Sequence, residues 1–154
     1  MRVLLTTDGT VTKSLESYFW EPIDIDKLTQ QQIILRCPEL LLGRDIGDVL
    51  LQRKIQLRGE HSNTVYAKAT SLVCLDMLPP GILSSVIEGS TGIGELLRES
   101  GLETYREIVD FGQCQFDSDE VGSKMAIWRT YLIKMNQQPF IQVTETFPLT
   151  VFGG

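Results

Sequence analysis

Three cysteines and a single histidine in 154 residues leave this chain short of the side chains that metal and covalent chemistry most often use. Cys37, Cys74 and Cys114 are odd in number, widely spaced and outside any CxxC pattern, which argues against a disulfide framework or a zinc site. They read as reduced core thiols of a cytoplasmic protein. His61 lies between Glu60 and Ser62 in a hydrophilic stretch, so its ordinary role is a solvated one and a Ser-His-Asp or Cys-His mechanism has no centre to build on. With so few N and S ligands, a transition-metal site is not expected. Long apolar runs are missing too: none approaches the ~20 residues of a membrane span. Asp8 and Lys13 follow the brief apolar start too closely for a signal peptide. Positive charge is in deficit, and a net charge of -6 repels nucleic acid and anionic membrane alike. A small anion met by local cations remains compatible with that balance.

What is present is an ordinary globular composition, 42% hydrophobic and 22% charged, without repeats, in a length that suits one domain over residues 1–154. Residues 2–7 read as the tail of a helix ended by the turn signal Asp8-Gly9, and residues 10–20 as a short helix stopped by Pro22. Residues 23–25 and 32–36 are separate strand candidates interrupted by Gln30-Gln31-Gln32. Residues 48–57 and 64–75 form a hairpin around a hydrophilic loop. Two short helical faces follow, around Ile82 to Val86 and from Ile93 to Ser100, the second closed by Gly101. A strand over residues 104–116, an acidic loop at 117–122, and a second hairpin of residues 127–135 and 140–147 complete the chain, and its last glycines are expected to fray. Hairpins and short helices in this order predict an α+β fold, an antiparallel sheet with helices packed on one face.

Two strands carry one charge each among apolar neighbours: Arg53 among Val49, Leu51, Ile55 and Leu57, and Glu145 among Ile141, Val143 and Phe147. Alternation with period two turns both inward. A buried unpaired charge costs several kcal/mol, so the two form either a buried ion pair or the opposite poles of a pocket. Arg129 shares a face with Ile127, Tyr131 and Ile133 and is a third inward charge with which Glu145 can pair instead. The run Gly89-Ser90-Thr91-Gly92-Ile93-Gly94 precedes a helix but has no Lys-Ser/Thr of a phosphate loop and follows no strand. It reads as a connecting turn whose backbone can approach a ligand closely.

Four blocks together resemble the chorismate lyase family: Thr7-Asp8-Gly9-Thr10-Val11-Thr12-Lys13-Ser14-Leu15, the Arg53 strand, Gly92-Ile93-Gly94-Glu95-Leu96-Leu97, and residues 139–148 with Thr144-Glu145. The resemblance implies a chorismate-lyase-like fold and a cofactor-free enzyme splitting chorismate into 4-hydroxybenzoate, for example a quinone precursor, and pyruvate. It implies that Arg53 holds the ligand carboxylate, that Glu145 sits at the hydroxyl end, and that Val11 and Ile93 make main-chain contacts, with Arg53 and Glu145 as the catalytic pair. The implied partner is a small anionic aromatic-precursor substrate, the implied state a monomer or weak homodimer. Where the family carries a second arginine on the strand after Arg53, this chain has Ala69, and alternation turns Lys68 to the other face with Tyr66 and Thr70. The same fold resembles the effector-binding half of certain bacterial transcription regulators, so the alternative is a non-catalytic domain binding a small aromatic acid. Such regulators carry a winged-helix DNA-binding domain, and no segment of this sequence reads as one.

Overall fold

The computed structural model describes residues 11–89, 91–116 and 124–152. The expected helix tail at residues 2–7, the turn at 8–9, the acidic loop at 117–122 and the terminal glycines lie outside these residues. The elements in chain order are α1 (Val11–Phe19), β1 (Ile23–Ile34), β2 (Val49–Gly59), β3 (Val65–Val73), α2 (Pro80–Glu88), α3 (Ile93–Ser100), β4 (Thr104–Phe116), β5 (Lys124–Met135) and β6 (Gln138–Pro148). The six strands form one antiparallel sheet in the order β1-β2-β3-β6-β5-β4. The fold is the expected α+β arrangement.

Local chemistry sets the element ends. Trp20, at φ 58, and Pro22 close α1. α2 starts on Pro80 behind Pro79, where a missing amide hydrogen costs nothing, and ends on Gly89 at φ 78, a left-handed position that glycine adopts without strain. Asn136 and Gln137 both take positive φ, the geometry of a two-residue hairpin turn matched to strand twist.

β1 corrects the sequence reading: residues 23–34 are one continuous strand, not two. A bulge between Lys27 and Thr29 re-phases it. The glutamine run stays in the sheet because Gln30 has work at the end of α2, where its Nε2 donates to the carbonyls of Val86 at 3.2 Å and Ile87 at 2.6 Å. Lys27 Nζ donates to the Glu88 carbonyl, so a cation also meets the negative end of that helix.

One sheet face carries Leu51, Arg53, Ile55 and Leu57 from β2 and, in register, Val73, Ser71, Ala69 and Ala67 from β3. α1 covers one end of this face, Leu15 packing with Leu57, Ala67 and Phe147. α2 and α3 cover the other, Val86 and Leu97 packing with Leu51, Val73, Ile133 and Ile141. The strip between them holds the polar residues. The cysteine expectation needs revision: Cys74 is buried, but Cys114 on the edge strand β4 is only partly so and Cys37, in the loop after β1, is exposed.

Glu21 organises the β2–β3 loop. Its carboxylate accepts hydrogen bonds from the Tyr66 hydroxyl at 2.5 Å and from the amides of His61 and Ser62 at 2.9 Å each. The Tyr66 bond foremost, then the Ser62 amide, holds the carboxyl at about 2, below its ordinary 4.5. A carboxyl depressed in the folded state contributes stability that is present above about pH 4.5 and lost as pH falls toward 2. Thermal melts between pH 5 and pH 2 are therefore expected to fall more steeply for the wild type than for Glu21→Gln, the two curves converging at the acid end. Parallel curves would contradict this.

Candidate active site

Sheet register brings the inward charges to one place. Arg53 on β2 lies opposite Ser71 on β3, which faces Val143 on β6, which faces Tyr131 on β5. The next row along the same face runs Ile55, Ala69, Glu145, Arg129. Arg53 and Glu145 are thus two strands apart, roughly 10 Å at ordinary strand spacing. The small side chains of Ser71 and Ala69 occupy the strand between them, and a cavity of about 250 Å³ opens over this floor, lined by both charges.

Arg53 is 2% exposed, yet its hydrogen-bond acceptors among the described residues are neutral. Nη1 donates to the Thr91 carbonyl at 3.0 Å and Nη2 to the Gly89 carbonyl at 3.1 Å. Its Nε is buried and has no partner among the described residues. Burial with no compensating anion pulls the guanidinium below its ordinary value. These bonds tie down the α2–α3 connection, which places Gly92, Ile93 and Gly94 at the cavity wall. Gly92 lies so close to β1 that a Cβ there would stand 3.1 Å from Ile25 Cδ1. Glycine allows that close approach, and it brings the N-terminus of α3, which favours negative charge, to the cavity wall.

Glu145 pairs with Arg129, not with Arg53. Arg129 Nε donates to Glu145 Oε1 at 2.8 Å, with both side chains almost fully buried. Burial pushes the Glu145 carboxyl up, while Arg129 and, further off, Arg106 pull against that rise. Tyr131 is a neighbour of this pair: the Arg129 guanidinium carbon stands 5.2 Å from its ring centre, and that of Arg106 5.7 Å. Burial foremost, then the Glu145 charge, pushes the Tyr131 hydroxyl far up, so it stays protonated.

Of the four residues expected from the sequence, Arg53, Ile93 and Glu145 line the one cavity. Val11 opens α1, but its side chain is outside the described residues. Tyr131 and Arg106 are among the lining residues that were not anticipated. Tyr131 follows from the same alternation that exposed Arg129, whereas Arg106, on the edge strand β4, carried no signal because a charge on an edge strand is ordinarily solvated. Lys68 pairs with Gln56 and Thr146 on the opposite face and does not replace the cation absent at Ala69.

The lining comprises four cations (Lys13, Arg53, Arg98, Arg106) and three carboxylates (Glu16, Glu95, Glu145), a local positive balance in an acidic chain. An empty site of about 150 Å³ accepts benzene, so the volume here suits a substituted six-membered ring. The arrangement is a ring-sized cavity with an excess of cationic lining residues, set on a one-sided antiparallel sheet.

The fold is shared with solved regulator structures. PhnF from Mycobacterium smegmatis matches 93% of this chain and 65% of its own, at TM-score 0.67 and 13% identity. Its effector domain alone matches 91% of this chain and 88% of its own, at TM-score 0.65 and 14% identity. At that identity the likeness concerns the fold. Sequence is more specific: the family described as chorismate pyruvate-lyase Rv2949c-like matches residues 5–152. A chorismate pyruvate-lyase of Mycobacterium leprae is 32% identical over 99% of this chain and 75% of its own length. One of Mycobacterium tuberculosis is 29% identical over 99% and 81%. The chain belongs to the Rv2949c-like chorismate pyruvate-lyase family.

Proposed function

We propose that this chain is a lyase that splits chorismate into 4-hydroxybenzoate and pyruvate in the cavity between Arg53 and Glu145. The observation that carries this reading is the separation of those two charges across one cavity, each held by other groups. The ring of 4-hydroxybenzoate has a carboxylate at one end and a hydroxyl at the other, and the cavity has a guanidinium and a carboxylate in the same order.

In this reading the ring carboxylate meets Arg53, whose planar donors fix its orientation, and the ring hydroxyl donates to Glu145. Loss of the C4 hydrogen and cleavage of the C3–O bond create the third ring double bond. The hydrogen passes to the methylene carbon of the departing side chain, the ether oxygen becomes the keto oxygen, and pyruvate leaves with no water consumed. Arg129 Nε, donating to Glu145 Oε1 at 2.8 Å, holds Glu145 as a fixed acceptor for the ring hydroxyl, so the carboxylate orients the ring while the hydrogen transfers internally. The protein then supplies orientation and a matched electrostatic frame, the two contributions such a downhill reaction needs.

Purified protein incubated with chorismate is expected to release 4-hydroxybenzoate, read by absorbance, and an equal amount of pyruvate, read by a coupled dehydrogenase. Tight binding of 4-hydroxybenzoate with no turnover at high protein concentration would reject the enzyme and support the ligand-binding alternative.

A further inference from the structure

A ligand with two carboxylates needs two cationic seats, and the strand position at which the second is expected holds Ala69. Ala69 stands directly opposite Glu145 and Ile55, so no cation can reach the cavity from that position on β3. Arg106 reaches the same cavity from the far edge of the sheet. Its backbone pairs with Ile133, on the face shared with Tyr131 and Arg129. Arg53 and Arg106 are four strand spacings apart, about 19 Å between backbones, so they enter the cavity from opposite sides.

Arg106 is also placed. Its guanidinium carbon lies 5.7 Å from the Tyr131 ring centre, and its charge is felt at both the Tyr131 hydroxyl and Glu145. The second cation therefore stands at the Glu145 end. Lys13 and Arg98, the other cations of the lining, are exposed, where water screens them and leaves their side chains unfixed.

We infer that Arg106 is the seat for the second carboxylate of the ligand, replacing from the edge strand β4 the cation that Ala69 leaves out of β3. The inference rests on the reading above and deepens it. In chorismate the side-chain ether is on the carbon next to the one bearing the hydroxyl. With the ring carboxylate at Arg53 and the hydroxyl at Glu145, the side-chain carboxylate falls at the Glu145 end, beside Arg106. The released aromatic acid has lost that carboxylate, so Arg106 discriminates substrate from product: it strengthens binding of the dicarboxylate and leaves the monocarboxylate to Arg53 alone.

Calorimetry with two ligands tests this. 4-Hydroxybenzoate carries the ring carboxylate only, and 3-(1-carboxyvinyloxy)benzoate, already aromatic and inert to elimination, carries both. Arg106→Gln is expected to weaken the dicarboxylate about 10- to 100-fold, as for loss of a charged hydrogen bond, and 4-hydroxybenzoate by less than about 3-fold on the same scale. Arg106→Lys is expected to recover part of the dicarboxylate affinity, and the chorismate KM of Arg106→Gln to rise more than its kcat falls. Equal weakening of both ligands would make Arg106 a mere support for Tyr131 and overturn the inference. So would an unchanged dicarboxylate affinity, or a wild type that binds neither ligand. Failure of the wild type to turn over chorismate would sink the lyase reading separately, because the binding comparison does not require turnover.

Discussion

Arg53→Met is expected to lower kcat/KM for chorismate by about 10²- to 10⁴-fold, two charged hydrogen bonds at about 1.5–3 kcal/mol each, while the melting temperature stays level or rises. The two halves of this expectation have one cause. Arg53 is buried, and among the described residues its Nε has no partner and its Nη atoms meet only the carbonyls of Thr91 and Gly89. A desolvated cation compensated by neutral acceptors is costly to the folded state, and an apolar side chain of similar length often replaces such a charge without loss. The variant forfeits two bonds to the α2–α3 connection, which sets a limit to the gain. A carboxylate ligand supplies what the guanidinium lacks, so 4-hydroxybenzoate is expected to raise the melting temperature of the wild type and not that of Arg53→Met. A variant that unfolds at ordinary temperature would instead show that Arg53 is kept for the loop.

Arg53 and Glu145 were legible in the sequence because alternation in a half-buried strand is strict, and a single charge among inward apolar positions stands out. The glycines around Ile93 were legible for a similar reason: only a close approach or a left-handed turn calls for glycine at Gly89 and Gly92. What the sequence left open was pairing between strands distant along the chain. Glu145 faces Arg129 because β6 lies between β3 and β5, an adjacency set by the whole sheet and not by any local pattern. The continuity of β1 was hidden because the polarity of Gln30 serves a helix end 56 residues away in sequence. Arg106 was hidden by its edge position, which makes an inward charge and a solvated one look alike.

Arg129→Met is expected to destabilise the fold by about 3–5 kcal/mol at neutral pH, the cost of leaving a buried carboxylate without its ion-pair partner. For a chain of this length that corresponds to a fall of about 6–20 °C in melting temperature. The loss should depend on pH in a definite direction. Burial already raises the folded-state carboxyl of Glu145 above its ordinary 4.5, and Arg129 is the largest influence opposing that rise. Removing Arg129 raises it further, so the folded variant binds a proton that the unfolded chain releases. Stability is then fullest below about pH 4.5 and declines as pH climbs through the raised folded-state value. Arg129→Met with Glu145→Gln has no carboxyl to titrate there, and it should recover most of the lost stability with a flat response over the same range. The cycle of two single variants and the double isolates the Arg129–Glu145 coupling from the loss of Arg129 packing on Tyr131. If Arg129→Met proves as stable as the wild type at every pH, Glu145 is neutral in the native protein. It would then donate to the ligand oxygen where the present reading has it accept, and the polarity assigned to that end of the cavity would reverse.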